Sequence, residues 1–397
     1  MKKAVFLLIL LLLLPCAALA ETKLMVVSDL HYMAPSLYTQ EGLFIQLLQN
    51  GDGKMPQQGE ALLAALYREV LAQRLDALVC TGDLTFNGER ASHEALAEWF
   101  HTVEAAGVPV WVIPGNHDIN TAPAGFTEYS YYPTESVTPK DFAAIYADFL
   151  LPGEAGFSYA VPVGDVVLAM TDVAWYEQQA QTYGLFTAGH ADWLERTLGQ
   201  AGDKTVVTAT HHSLLPHTRF AQENFLMFGH ETMAALCRQY GVGLNLSGHL
   251  HIQHIAREEG LTDAALGAFC VWPHRYAVVT RTEDALTYDA QSLHAAYLPQ
   301  GFLESSREWF ADCTRRKVKA SGLTGTKTET DAMADYAARF NLAYFSGAYD
   351  SRDPAWTQDA ACALWESQGE TGFWQYMKMV MRENTGDNLA ETIKIGN

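Results

Sequence analysis

Apolar runs of strand length recur along this chain, and each closes in a polar cluster. They are residues 23–27 before Asp29, 77–80 before Asp83, 108–113 before Asn116, 166–170 before Asp172, 205–209 before His211 and 242–246 before His249. Runs of this length with polar ends predict strands. Between them, residues 59–73, 93–105, 191–198 and 231–240 space their apolar positions by three and four, which predicts helices. The alternation points to an α/β fold with strands covered on both faces and chemistry just past the strand ends. Two long loops, 32–58 with Gly51-Asp52-Gly53 and 119–138 with Tyr129, Tyr131 and Tyr132, follow ligand-bearing strands and are expected to line a cleft. After Ser292 the strands stop, and residues 302–319, 328–340 and 359–383 predict helices. A boundary near Leu298-Pro299 divides a domain of residues 21–297 from a smaller helical domain of residues 298–397. Trp309, Trp356, Trp365 and Trp374 are expected to pack the core of that second unit.

The polar clusters carry the chemistry. Asp29 and His31 stand two apart at a strand end, where extended backbone would point both side chains the same way. Asp83 offers two carboxylate oxygens, enough to bridge two cations, and Asn116 a neutral amide oxygen suited to a hard divalent ion. His211, His249 and His251 complete the set. Any one of these is common as turn or core chemistry. The ordered set assigns Asp29, His31, Asp83 and His251 to one ion and Asp83, Asn116, His211 and His249 to another. Two such ions, about 3.5 Å apart, suit in-line displacement at phosphorus. The mixed nitrogen and oxygen ligands would accept Mn, Fe, Zn or Co. His117, beside a ligand, suits orientation of a phosphate or protonation of a leaving alkoxide, with Asp118 expected to fix its tautomer. His212 is a candidate for contact with substrate or support of the ligands, whereas His217, His254 and His274 fit no ligand slot.

Composition narrows the partners. The formal charge of −20 disfavours nucleic acid polymers and anionic membranes, except where bound metals invert the local field. Met1-Lys2-Lys3, an apolar run over 4–15 and Ala18-Leu19-Ala20 read as a cleavable leader over residues 1–20. The run is short of the roughly 20 apolar residues of a spanning helix, so export to the periplasm or cell exterior is expected rather than retention in a membrane. Pro15 before Cys16 argues against lipidation. Cys80, Cys237, Cys270, Cys313 and Cys362 remain, without a CxxC pair, and indicate neither a disulfide framework nor a thiolate zinc site. Only a Cys313–Cys362 bridge is open.

With these blocks in this order, the stretch from Lys23 to about Ser292 resembles the calcineurin-like metallophosphoesterase superfamily. The resemblance implies a four-layer αββα sandwich, two mixed sheets with helices outside, and a dinuclear site at the strand ends. The stretches Ser28-Asp29-Leu30-His31-Tyr32, Gly82-Asp83-Leu84-Thr85-Phe86-Asn87-Gly88-Glu89, Pro114-Gly115-Asn116-His117-Asp118-Ile119-Asn120 and Val271-Trp272-Pro273-His274-Arg275-Tyr276 are similar to exported bacterial class III cyclic nucleotide phosphodiesterases. Those relatives also carry a helical C-terminal domain. Phe86 stands where purple acid phosphatases place an iron-ligating tyrosine, and the arginine that follows Gly-Asp in protein phosphatases is missing.

The expected activity is therefore metal-dependent hydrolysis of small phosphodiesters, 3',5'-cyclic nucleotides foremost. Glycerophosphodiesters, cell-wall polymers and phosphomonoesters are the alternatives on the same centre. A cell-surface binding protein with a vestigial site is the alternative of another class; against it, every ligand position holds a competent residue.

Overall fold

In strand β1, Thr22–Val27, successive side chains face opposite ways: Leu24 and Val26 turn towards a second sheet, Met25 and Val27 towards helices. The same division runs through the two-sheet region. The computed structural model describes residues 21–177, 182–219, 225–369, 371–383 and 386–395; the expected leader lies outside the described residues.

Two six-stranded mixed sheets pack face to face. In the first, β1, β2 (Ala77–Cys80) and β3 (Val110–Val112) run parallel. The small hairpin strands β4 (Ala124–Phe126) and β5 (Tyr131–Pro133) follow in the second long loop. The second sheet contains β6 (Tyr159–Val163), β7 (Val166–Met170), β8 (Thr205–Ala209), β9 (Leu244–Ser247), β10 (His254–Glu258) and β11 (Leu261–Ala265), in the order β10-β11-β9-β8-β7-β6. Antiparallel β12 (Arg275–Arg281), β13 (Ala285–Ser292) and β14 (Ala390–Lys394) complete the first sheet on the other side of β1.

Leu24, Val26, Val79 and Ile113 from one sheet meet Leu168, Met170, Val207 and Leu246 from the other. Helices Gly59–Ala72 and Arg90–Ala105 cover the first sheet through Leu62, Leu66, Leu96 and Phe100. Helices Ala188–Gln200 and His230–Gln239 cover the second through Trp193, Leu194, Met233 and Cys237. This is the four-layer αββα sandwich.

Beyond it lie helices Phe302–Ala320, Lys327–Phe345, Ala360–Ser367 and Gly372–Val380, with the short turn Ala355–Gln358 between. The second of these starts at a capping box in which Thr326 and Glu329 satisfy each other's backbone N–H. Trp365 and Trp374 stack in the helical core at 6.2 Å. That core runs on into Leu250, Ile252 and Ala265 of the two-sheet region. Trp309 instead packs against the first sheet's helices and donates its Nε1 hydrogen to the Lys54 carbonyl.

The apolar runs named from the sequence account for β1, β2, β3, β7, β8 and β9; among the strands they leave out, β10, β11 and β14 mix charged and apolar residues and take their positions from pairing with a neighbour. β14 corrects the expectation that strands stop after Ser292: it follows the helices and returns to pair with β13. All five cysteines among the described residues are free and buried. The Cys313–Cys362 bridge is absent: Cys313 donates to the Leu48 carbonyl and Cys362 to that of Trp356. Among the described residues no helix is long and apolar enough to cross a membrane.

Candidate dinuclear metal centre

The polar clusters converge where β1, β2, β8 and β9 end. Asp29, His31, Asp83 and His251 form one group of ligand atoms and Asp83, His211 and His249 another, each with its atoms within 4.8 Å of one another. Asp83 belongs to both: its Oδ1 lies 3.3 Å from His211 Nε2 and its Oδ2 3.5 Å from His31 Nε2. Asn116 Oδ1 joins the second group, 3.2 Å from His211 Nε2. The seven expected ligands are thus together.

Their convergence differs from the expected extended geometry. Asp29, His31, Asp83, His249 and His251 all have positive φ, between 40° and 65°. Left-handed turns, rather than strand alternation, bring each i and i+2 pair to one place. Such backbone costs about 1–3 kcal/mol per residue and persists only where the surroundings enforce it. Two glycines allow the close approach: a Cβ on Gly115 would lie 2.2 Å from Asp83 Oδ1, and one on Gly248 would lie 1.9 Å from Ser28 Oγ.

His31, His211 and His251 turn Nε2 inward. His211 keeps that tautomer because Nδ1 donates to the Thr81 carbonyl at 2.9 Å. His251 Nδ1 faces Asp52, 3.5 Å away, while its Nε2 lies 3.3 Å from Asp29 Oδ1. Asp29 Oδ1 and Asp83 Oδ2 are buried without a hydrogen bond, and His31 Nε2 and His251 Nε2 face each other at 3.2 Å. Buried carboxylate oxygens without donors are costly unless a cation meets them. The mixed donor set therefore suits two divalent ions.

The electrostatics agree. Burial pushes the Asp83 carboxyl up, but His211, His117 and His31 outweigh it and hold it well below its ordinary range. The same contest, with His251 as the main partner, leaves Asp29 low. Burial lowers His211, yet the Asp83 charge and hydrogen bond bring it up to about 9. Both carboxylates are thus held as anions, the form a metal needs.

His117 lies over the first group, its ring 5.0 Å from that of His31, and its backbone N–H donates to Asp83 Oδ1 at 2.8 Å. The role expected for Asp118 needs correction. Its carboxylate does not meet His117; it accepts from the N–H groups of Leu84, Thr85 and Gly115 and from the Thr85 hydroxyl. The partner of His117 Nδ1 is Asn87 Oδ1, at 3.2 Å. Asp118 is a buried lock between the Gly82-Asp83 and Gly115-Asn116 loops, because all its observed donors come from those two segments.

His212 is buried behind the ligands, its ring 4.3 Å from that of His249 and its Nε2 bonded to the Thr182 carbonyl. His217 and His254 bond to each other, and His217 also to Asp263. That carboxylate accepts from Leu214, Leu215, Asn245 and Ser247 as well, and so ties the loop that follows β8 to strand β9. His274 bonds Phe269 and Ser306.

Sequence reasoning missed Asn87, Asp52 and Lys54. The Gly51-Asp52-Gly53 turn in a loop after a ligand strand was the available signal.

The sequence model of the family described as calcineurin-like phosphoesterase matches residues 22–253, more than half of the chain. The chain belongs to that family. Among curated relatives of this calcineurin-like phosphoesterase is a protein of Arcobacter nitrofigilis named "Probable glycerophosphodiester phosphodiesterase GpdQ", 27% identical over 46% of this chain and 58% of that one. A 3',5'-cyclic-nucleotide phosphodiesterase of Nostoc is 26% identical over 48% of this chain and 62% of its own length. The 3',5'-cyclic adenosine monophosphate phosphodiesterase CpdA of Haemophilus influenzae is 24% identical over 53% and 68%. The chain thus spans about three-fifths of the length of the first two. A dimetal phosphatase from Danio rerio superposes with a TM-score of 0.51 at 15% identity, over 70% of this chain and 97% of that one, and shares the fold.

Proposed function

We propose that this metallophosphoesterase is an exported enzyme that hydrolyses small phosphodiesters, with 3',5'-cyclic nucleotides as its first substrates. The observation that carries the reading is Asp83, whose two oxygens face two separate groups of nitrogen and oxygen ligands beneath His117. The leader-like residues 1–20 support export.

Asp29, His31, Asp83 and His251 would hold one divalent ion, and Asp83, Asn116, His211 and His249 the other. Bound there, such a pair supplies Lewis acidity at the phosphoryl group and lowers the pKa of water. The chain's own residues do the rest. Asn87 Oδ1 accepts from His117 Nδ1, which leaves Nε2 turned to the cleft. From there His117 contacts the phosphoryl group and, once Nε2 has taken up a proton so that the ring is an imidazolium, passes that proton to the departing alkoxide. Asp118 and Asp263 keep the loops in register, so the ligands need no reorganisation during the reaction.

The leaving group tests His117. Replacing it with alanine is expected to reduce kcat on cyclic AMP by about 10²–10³-fold, in the range of a lost general acid. On bis(p-nitrophenyl) phosphate, whose leaving group needs no proton, the loss should be several times smaller. Equal losses on both would assign His117 to orientation alone.

The substrate class is tested on the Mn²⁺-loaded protein with cyclic AMP, a glycerophosphodiester, bis(p-nitrophenyl) phosphate and p-nitrophenyl phosphate. Preferential cyclic AMP turnover supports the reading. Preference for the glycerophosphodiester moves the substrate to the class named for the Arcobacter relative. No turnover with any metal overturns the enzymatic reading.

A further inference from the structure

The loop between the helices Leu43–Gln49 and Gly59–Ala72 reaches the metal centre with two charged side chains that the family match does not explain. Asp52 Oδ2 lies 3.5 Å from His251 Nδ1, and Lys54 Nζ lies 3.6 Å from the same Asp52 oxygen. The Lys54 side chain is only 12% exposed. Lysine is rarely so covered unless its charge has a partner. Among the described ion pairs Asp52 is that partner, at a separation too long for a direct hydrogen bond. Because the same Asp52 oxygen meets His251, the ammonium stands beside the first ligand group, with donors left for another acceptor.

The loop is fixed from behind by the helix Phe302–Ala320, which lies outside the matched region. Gly53, at φ 94°, packs so closely on Phe310 that a Cβ would lie 2.3 Å from its ring. Trp309 Nε1 donates to the Lys54 carbonyl at 3.3 Å, and the Met55 N–H donates to the Cys270 carbonyl at 2.9 Å. The backbone on both sides of Lys54 is thus held, and its ammonium is presented rather than left to wander.

We infer that Lys54 is a substrate-binding residue that donates to a phosphoryl oxygen beside the metal centre, and that the helix Phe302–Ala320 holds it in that position. The inference rests on the phosphoesterase reading above. Its charge logic is simple: Asp52 steadies His251 but adds an anion beside the ligands, and Lys54 offsets that anion where a negatively charged phosphate must enter. The ligand class is a phosphate ester or its phosphate product. The appended helices thereby become part of the substrate site.

The test is calorimetric binding of inorganic phosphate to the Mn²⁺-loaded full chain, alongside Mn²⁺ binding to the metal-free protein. Lys54→Met is expected to weaken phosphate binding at least about 10-fold, the loss of one charge-assisted hydrogen bond. Lys54→Arg should recover much of it. Trp309→Phe, which keeps the ring but loses the donor to Lys54, should lose less. Mn²⁺ affinity should be undiminished in Lys54→Met. Unchanged phosphate affinity overturns the inference, as does a parallel loss of Mn²⁺ affinity, which would make Lys54 a mere support for Asp52 and His251. If the wild-type protein turns over no phosphate ester, the functional reading fails on its own, while the phosphate measurement still decides the role of Lys54.

Discussion

Asp83→Ala is expected to reduce kcat/KM on bis(p-nitrophenyl) phosphate by at least about 10³-fold, because Asp83 is the one residue shared by both ligand groups. Loss of an outer partner of a metal ligand typically costs 10–100-fold, so loss of a ligand common to two ions should exceed that range. Metal content, measured by elemental analysis after dialysis, should fall below that of the wild type in the same experiment. Thermal unfolding supplies an independent readout. Mn²⁺ should raise the melting temperature of the wild type, since a ligand at about 100 times its Kd adds about 2.7 kcal/mol. In Asp83→Ala that increment should largely vanish. Without metal the variant should be somewhat less stable than the wild type, because the His211, His117 and His31 rings that hold the Asp83 carboxyl low, and the His117 N–H it accepts, lose that partner. Full activity in Asp83→Ala would refute the dinuclear reading.

Asp118→Ala should act differently, through the fold. Burial and the neighbouring Asp83 charge push the Asp118 carboxyl up to about 7, against the pull of its backbone donors. Its removal leaves the Leu84, Thr85 and Gly115 N–H groups without their buried acceptor. At about 1–3 kcal/mol for each orphaned group, partly relieved by water, a loss of about 3–5 kcal/mol is expected in denaturant unfolding. Activity should fall with it, since Gly82-Asp83 and Gly115-Asn116 lose their common anchor. Asp118→Asn keeps acceptor oxygen in place and should lose less on both counts. The contrast with His117→Ala is the diagnostic: that change should cost activity with little loss of stability. A stable, inactive Asp118→Ala would return Asp118 to the catalytic role expected from the sequence.

The ligands were legible in the sequence because they sit immediately after apolar strands, where residue type and order both survive as local signals. Asp29, Asp83, His211 and His249 needed no tertiary information to be singled out. Their left-handed backbone was not legible, since nothing in Asp29-Leu30-His31 distinguishes a strand end from the turn that Gly82 and Gly248 make possible. Asp118 was misread because its donors lie some thirty residues away in sequence, in the Leu84-Thr85 segment. Asp52 and Lys54 were hidden for a related reason: their place depends on Trp309 and Phe310, about 250 residues further on. Hydrophobic periodicity reports burial within one element and is silent about such long-range contacts.

β14 ties the order of folding to the helical segment. β13 gains its outer partner only after all the intervening helices have been synthesised and the chain has closed a long loop, a slow and entropically costly step. Until then β13 presents an open edge, a template on which another chain can pair. A polypeptide cut within the helices retains every metal ligand yet exposes that edge, and is expected to be lost to aggregation before it is lost to chemistry.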